Sequence, residues 1–300
     1  MAGGSTQFDK YVQESVQKIK GVYFPVRTGL VARLLTKKAP CKSLYPNPGD
    51  EFSMPEIGPN DGIIASYEEQ FLANIRSGGD YYRGNDPIIV EALYPDGYMI
   101  LNGHHRWAAA MKIGQAEIPV QVVNLMHEAD VQEILRNTRH EKRATFDLDE
   151  VLLRGEDDPY LEAPLPSPWN KTYAERIRLG VPALFHALEK SGYDIWLYSK
   201  GYPSVDAVQD YFRLYHVNVT GVIAALGRKK AAAGADLEKL LQGKYRSTLH
   251  IDNDMVLQIN SDTKEPREFA LSGAPETWSQ EIIGILEALD KEDEEAKAQA

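Results

Sequence analysis

Two groups of residues in this chain of 300 have types and spacing that can do chemistry. The first is the segment Asn102-Gly103-His104-His105-Arg106, which lies between a strand pattern and a helix pattern. Gly103 permits a sharp turn and the close approach of a ligand. The first N–H groups of the following helix have no intrahelical acceptor, and together with the helix dipole they attract an anion. Arg106 can bind that anion through two parallel hydrogen bonds.

Cationic side chains at the N-terminus of a helix are ordinarily unfavourable, so His104, His105 and Arg106 together indicate a bound anion. We therefore predict that this turn holds the phosphate of a nucleotide or of another small phosphorylated ligand. The alternative is a hairpin-to-helix turn in which a nearby carbonyl satisfies His105 and Arg106 faces solvent. Glycine turns are common, and the spacing alone leaves both interpretations open.

The second group is a pair of carboxylates, Asp147 and Asp149, directly after a short strand pattern. In extended geometry alternate residues point the same way, so the two side chains are expected to converge on one substrate. One can then act as nucleophile or metal ligand and the other as proton donor. Acidic pairs in loops are usually solvated, so a functional role for this pair depends on which other residues lie near it.

Polar residues also follow the later strands of the same half. Ser199 follows one strand, Lys229 and Lys230 open a helix, and Asp252 and Asp254 follow the last strand of the alternating pattern. Because the carboxyl ends of parallel strands gather at one edge of a sheet, these groups are expected to form a magnesium–phosphate site. The predicted metal ligands are Asp147, Asp149, Asp252 and Asp254.

The elements needed to position these residues follow from periodicity and turn signals. The first half reads as an α+β domain, since a helix, a β-hairpin, a second helix and a β-branched strand follow one another. From about residue 141, strands alternate with helices, which predicts a parallel sheet covered on both faces and an α/β fold overall. The predicted strands are 88–93, 98–101, 118–124, 144–146, 194–198, 219–225 and 248–251, and the predicted helices are 6–20, 67–75, 106–113, 129–140, 173–191, 204–214 and 231–241.

The first half resembles the ParB/sulfiredoxin-like domain over about residues 40–125. The resemblance lies in Leu44-Tyr-Pro-Asn-Pro-Gly-Asp-Glu-Phe, Pro87-Ile-Ile-Val-Glu-Ala-Leu, Gly97-Tyr-Met-Ile-Leu-Asn-Gly-His-His-Arg-Trp-Ala-Ala-Ala and Ile118-Pro-Val-Gln-Val-Val. The resemblance implies that Gly103–Arg106 hold a nucleotide phosphate, often with the help of magnesium. It does not indicate whether the nucleotide is ATP, CTP or another one.

Positions at which this chain differs from the family argue against some of the activities found in the family. Sulfiredoxins place a catalytic cysteine where this chain has His104, which argues against reduction of a sulfinic acid. Chromosome-partitioning members continue into a helix-turn-helix module, whereas a dissimilar α/β pattern follows here. Other members are free-serine kinases that use a carboxylate as general base. Asp50 or Glu51 would take that role, and the alternative is that both lie in a solvated turn.

The second half is similar to the haloacid-dehalogenase-like (HAD) hydrolases over about residues 141–290. The resemblance maps the first motif to Asp147, Asp149 and Val151 and the second to Ser199. The lysine motif falls on Lys229 or Lys230, and Lys244 is a poorer match. The strand-ending acidic motif falls on Asp252 and Asp254, which are also predicted metal ligands. It implies a Rossmann-like fold and a Mg²⁺-dependent phosphatase with an aspartyl-phosphate intermediate. A degenerate, non-catalytic domain is the alternative.

Composition limits the partners. The net charge of −11 and the pI near 5.2 argue against a surface that wraps duplex DNA, without excluding nucleic acid. A small anion is different, because one or two basic groups and a helix N-terminus can hold it inside an acidic protein. There is no long apolar run and no secretory pattern, so neither a membrane span nor a signal sequence is expected. The single cysteine, Cys41, fits a reducing cytoplasm. The pattern does not indicate an oligomeric state.

The sequence thus predicts a helical extension (1–39), a nucleotide-binding domain (40–126), a linker helix (127–141), a HAD-like domain (142–290) and a charged tail (291–300). The leading hypothesis is a two-domain phosphoryl-transfer protein. The alternatives are a nucleotide-dependent small-molecule kinase acting through the first domain, and a nucleotide-gated DNA-binding or regulatory module.

Overall fold

The computed structural model describes residues 7–173, 175–225, 232–261, 263 and 265–299. The chain is mixed α/β and divides into two compact units. Residues up to Leu125 make up nearly all of the first unit, and residues from Met126 onwards make up nearly all of the second. Over the part of the chain that is described, no helix is both long and apolar enough to cross a membrane.

The first unit is built on a six-stranded mixed sheet. Its strand order is β2-β6-β4-β5-β3, and β1 pairs with β4. The strands are β1 (Phe24–Pro25), β2 (Lys37–Pro40), β3 (Leu44–Pro46), β4 (Ile88–Tyr94), β5 (Tyr98–Asn102) and β6 (Glu117–Val122), and the helices are α1 (Gln7–Ile19), α2 (Leu30–Leu34), α3 (Asp61–Arg76) and α4 (His104–Lys112).

Local sequence explains the elements that carry the first candidate site. β4 and β5 form the predicted antiparallel hairpin, and β5 runs directly into α4 through Gly103. The helix α3 begins at Asp61, six residues before the predicted start, because the side chain of Asn60 caps it by accepting a hydrogen bond from the Ile63 N–H at 3.1 Å. α4 is anchored in the core by Trp107, which is fully buried and donates its indole N–H to the Cys41 carbonyl at 2.9 Å.

The second unit contains a six-stranded sheet of order β11-β10-β7-β12-β13-β14. The first three pairings along this order are parallel and the last two are antiparallel. The strands are β7 (Lys142–Asp147), β8 (Leu153–Arg154), β9 (Arg176–Ile177), β10 (Tyr193–Tyr198), β11 (Gly221–Ile223), β12 (Ser247–Ile251), β13 (Met255–Asn260) and β14 (Pro266–Ala270), and the helices are α5 (Glu128–Asn137), α6 (Trp169–Thr172), α7 (Val181–Lys190), α8 (Val205–Leu214), α9 (Ala232–Lys244) and α10 (Trp278–Gln299).

The two faces of the central strand β7 have different chemistry. Phe146 faces α7, where its ring lies 5.2 Å from that of Phe185. Arg143 lies on the other face and is bound by Glu238 of α9. One face of the sheet is therefore an apolar core, and the other carries buried polar groups.

The structure differs from the sequence prediction in several places within this unit, of which three bear on the sheet and the helix before β10. The helix predicted over 173–191 starts only at Val181, because Gly180, at φ 84°, ends the preceding segment and Arg176–Ile177 pairs as β9 with β8. The antiparallel strands β13 and β14 were not predicted, so the sheet is mixed rather than wholly parallel. The predicted strand 219–225 is shorter, Gly221–Ile223.

Candidate functional site

The turn between β5 and α4 has a backbone that only glycine adopts easily. Gly103 is the N-cap of α4 with φ 99° and ψ 20°, in the left-handed region. A Cβ atom built at this position would lie 2.6 Å from Cδ1 of Ile88 and 3.0 Å from Nη2 of Arg106. The N-cap residue makes no side-chain hydrogen bond to the first N–H groups of α4.

His104 and His105 each contact a backbone N–H through the ring. Nε2 of His104 accepts a hydrogen bond from the Asn47 N–H at 3.2 Å, and Nε2 of His105 accepts one from the Asn60 N–H at 3.3 Å. A ring nitrogen that accepts a hydrogen bond carries no proton, so these contacts favour the neutral form of both rings. Burial also lowers the pKa of His105, against a smaller opposing effect of Asp50. The contacts therefore argue against three cations in the first turn, where Arg106 supplies the positive charge.

Arg106 is held by the main chain. Its Nη1 donates to the Asp86 carbonyl, so the side chain does not simply extend into solvent. The contact at Nε2 of His105 is with a backbone N–H and not with a carbonyl.

A cavity of about 240 Å³ opens at this turn. Asn102, Gly103 and the three residues that follow it line one side, and Tyr67 and Asp50 belong to the same lining. Asp50 lies with Oδ1 3.8 Å from Nδ1 of His104, and its carboxylate accepts the Phe52 N–H at 3.0 Å. Glu51 is exposed and is not part of the lining. Of the two carboxylates predicted as a general base, Asp50 therefore faces the turn.

In the second unit, the chain leaves extended geometry at Asp147. Residues Leu148–Leu152 form one π-helical turn, which Asp147 caps by accepting the Glu150 N–H at 2.6 Å. The rule that alternate residues of a strand point the same way consequently does not apply to Asp147 and Asp149. Burial is the largest cause that raises the pKa of Asp147 above its ordinary value, and the neighbouring carboxylates add to it.

Asp149 is oriented by the loop after β10. Its Oδ2 accepts hydrogen bonds from the Ser199 hydroxyl at 2.8 Å and from the Lys200 N–H at 3.1 Å. The hydroxyl oxygen of Ser199 in turn accepts the Gly201 N–H at 3.0 Å. Ser199 is fully buried, so its hydroxyl bonds to Asp149 and not to solvent. The Lys200 ammonium pairs with Glu150 at the same edge of the sheet.

Asp147 and Asp252 line the same cavity, of about 320 Å³, at the carboxyl ends of β7 and β12. Its walls also include Tyr198, Glu238 and His250. Asp149 and Asp254 are not part of this lining, and Asp149 lines a separate cavity of about 480 Å³. The four aspartates predicted as metal ligands are thus divided between different surroundings.

The described residues contain no group of three or more His, Cys, Asp or Glu side chains able to hold a metal ion by themselves. Magnesium differs from zinc in this respect, because one or two carboxylates, water and substrate phosphate oxygens usually complete its shell. Asp147 and Asp252, as two carboxylates on one cavity, fit that donor chemistry.

The predicted lysines cannot be placed in this way. Lys229 and Lys230 lie outside the described residues. Lys244 is at the far end of α9, where its ammonium donates to the Thr138 carbonyl at 3.4 Å, near the start of β7. Within the described segments, Lys200 is the lysine whose charge acts on Asp147 and Asp149.

Sequence reasoning missed several residues of the 320 Å³ cavity, among them Tyr198, Glu238 and His250. Glu238 accepts hydrogen bonds from Arg143, Tyr198 and Gln242, and burial and these contacts hold it in place. A signal was available for His250, because polar residues alternate in β12 with the same period of two as in β7. No such signal marks Glu238, which contacts Arg143 across 95 residues.

Comparison with known families identifies a domain in one part of the chain. Residues 73–138 match the family model described as ParB N-terminal domain. The matched segment contains β4, β5, α4 and β6, and with them the turn at Gly103. A search of curated proteins finds no match to this chain. A ParB N-terminal domain is therefore present, and the turn Asn102–Arg106 lies inside the matched residues.

Proposed function

We propose that this protein is a two-site phosphoryl-transfer enzyme, in which the ParB N-terminal domain binds a nucleotide phosphate and the second unit is a HAD-like, magnesium-dependent phosphatase. One observation carries the phosphatase assignment. Asp147 and Asp252 reach one cavity from the carboxyl ends of adjacent parallel strands, the edge at which α/β sheets bind ligands.

The reaction follows from the roles of two carboxylates. A carboxylate oxygen of Asp147 attacks phosphorus, a new O–P bond forms, and the bond to the ester oxygen breaks. Asp149 gives its proton to that oxygen as the alcohol leaves. Asp149 then takes a proton from water, which attacks the aspartyl phosphate and releases inorganic phosphate together with free Asp147.

Other groups of this chain support these steps. Ser199 and the Lys200 N–H fix the orientation of the Asp149 carboxylate. The Lys200 ammonium supplies positive charge to an edge that otherwise carries several carboxylates. Magnesium held by Asp147 and Asp252 would neutralise phosphate charge when bound.

The test is the release of inorganic phosphate from phosphate monoesters with and without Mg²⁺. Asp147→Asn, which removes the nucleophile, is expected to reduce kcat by about 10⁴-fold or more. Asp157→Asn is the matched control, because Asp157 is an exposed carboxylate in a loop of the same unit. Activity that is unchanged in Asp147→Asn would contradict the assignment.

Nucleotide binding by the first unit is tested separately. ATP or CTP should raise the melting temperature of the wild type, because a ligand that binds only the folded state stabilises it. Arg106→Ala should remove that rise, whereas Arg83→Ala, an exposed arginine of the same unit, should keep it. Equal stabilisation of all three proteins would show that the nucleotide does not bind at the turn.

A second candidate is a kinase that acts through the first unit alone. The observation in its favour is Asp50, whose carboxylate lines the same cavity as the turn and could accept the proton of a substrate hydroxyl. Phosphate transfer from a nucleotide to a small alcohol that persists in Asp147→Asn but is lost in Asp50→Asn would favour the kinase.

A further inference from the structure

The cavity beside Asp149 has the size and lining of a small-molecule site. Its volume is about 480 Å³, within the range of ligand pockets, which are mostly apolar with a few polar groups. Leu148 and Leu153 line it from the chain after β7, and Val208 and Phe212 line it from α8. All of these residues belong to the second unit.

Two tyrosines make part of this lining aromatic. The rings of Tyr173 and Tyr211 lie 4.9 Å apart. The Tyr211 hydroxyl donates to the Glu175 carbonyl at 3.0 Å, so its polar end is already bonded and its ring remains for packing. The polar residues of the lining are Asp149, Thr172, Glu175 and Ser204, besides the two tyrosines, and most of the surface that the lining presents is apolar.

The position of Asp149 relates this cavity to the reaction. In the proposed chemistry Asp149 protonates the ester oxygen while the O–P bond breaks and phosphorus passes to Asp147. The organic group attached to that oxygen must therefore start at Asp149. The Asp149 carboxylate is fixed by Ser199 and by the Lys200 N–H, so the starting point is fixed as well.

We propose that this cavity binds the alcohol part of the substrate, and that the substrate class is a phosphate monoester of an apolar alcohol, alkyl or aryl. The proposal rests on the phosphatase function proposed above. A sugar or a second charged group would lose its hydration here against leucine, valine and phenylalanine side chains, with few hydrogen bonds in return. The burial of an apolar chain against the same side chains is instead favourable in free energy.

Alkyl phosphates of increasing length test this directly. Ethyl and hexyl phosphate have leaving groups of nearly equal basicity, so a difference in kcat/KM between them reports binding of the chain. We expect roughly a fourfold rise for each of the first methylene groups. Ala207→Trp should flatten this dependence, because Ala207 lines the cavity and the indole would fill it. Arg213→Trp, on an exposed position of the same helix, should preserve it.

A binding measurement separates this inference from the phosphatase assignment. The free alcohol 2-naphthol should raise the melting temperature of the wild type and of Arg213→Trp but not of Ala207→Trp. Equal kcat/KM for ethyl and hexyl phosphate, or a chain-length dependence that survives Ala207→Trp, overturns the inference. If no ester is hydrolysed while 2-naphthol binding is lost in Ala207→Trp, the phosphatase assignment fails and the apolar ligand site is retained.

Discussion

Replacing Glu238 by alanine should strongly destabilise the second unit. Glu238 binds Arg143 through two contacts, at 2.6 Å to Nη2 and 3.3 Å to Nη1. The Arg143 side chain is only 1% exposed. Its remaining partners are the hydroxyls of Thr248, at 3.0 Å, and Tyr198, at 3.1 Å, and neither carries a compensating charge.

The magnitude follows from the burial of Arg143 and the partial burial of Glu238. Removing one partner of a buried ion pair leaves an uncompensated charge, which typically costs about 3–5 kcal/mol. The Glu238 side chain is 25% exposed, so water can enter the space that alanine vacates. We therefore expect a loss near the lower end, about 3 kcal/mol. Glu238→Gln keeps an acceptor for Arg143 and should lose less, about 1.5 kcal/mol.

The measurement is urea unfolding, with the change in free energy taken from the shift of the midpoint at constant slope. A matched control exists at the surface, where Arg267 and Glu292 form a two-contact pair at 2.7 and 3.2 Å. Glu292→Ala should cause no measurable shift, because solvent screens exposed pairs. The double variant Arg143→Met/Glu238→Leu removes both charges and should recover most of the stability.

The reasoning is refuted if Glu238→Ala and Glu292→Ala have equal midpoints, or if the double variant is less stable than Glu238→Ala. The pH dependence gives a second check. Burial by itself would raise the pKa of Glu238, but hydrogen bonds from Arg143 and Tyr198 hold it below its ordinary value of 4.5. Because the folded-state pKa is depressed, the contribution is complete above about pH 4.5 and is lost as the pH falls through the folded-state value. The gap between wild type and Glu238→Ala should narrow there.

Glycine positions provide the remaining predictions. Gly103→Ala should cost about 2 kcal/mol or more, since its φ is left-handed and a Cβ would meet Ile88 at 2.6 Å, and stabilisation by nucleotide should be lost in thermal melts. Gly221→Ala should cost about 1–3 kcal/mol in urea unfolding, because a Cβ would lie 2.4 Å from the Trp196 ring. Gly243→Ala, with open space around it in α9, should instead gain about 0.5–1 kcal/mol.

Local signals made much of the first unit predictable. The hairpin of β4 and β5, the glycine turn and the helix α4 all depend on residues close together in sequence. The contacts of the two histidines were not predictable in this way. Asn47 and Asn60, whose N–H groups bond to the histidine rings, lie 57 and 45 residues from His104 and His105.

The second unit shows where periodicity fails. The strands β8 and β9 have two residues each, too few to display a pattern, and β9 lies within the segment predicted as the helix 173–191. The π-helical turn after β7 has no signature in the residue types either. This turn places Asp147 and Asp149 in the linings of two different cavities.

The alternation within β7 connects stability with the proposed chemistry. A central strand of a parallel sheet covered on both faces is usually apolar throughout. Here Arg143, Thr145 and Asp147 share one face, and contacts with β12 and α9 satisfy the buried members: Thr145 Oγ1 lies 2.7 Å from His250 Nδ1, and Arg143 is bound by Glu238. A fully bonded polar network is rigid, whereas a broken one is costly. Glu238 belongs to this network and also lines the Asp147 cavity, so its loss should disturb the cavity wall. Glu238→Ala should therefore lower the proposed phosphatase activity at temperatures where the unit is still folded, while the exposed control Glu292→Ala should not.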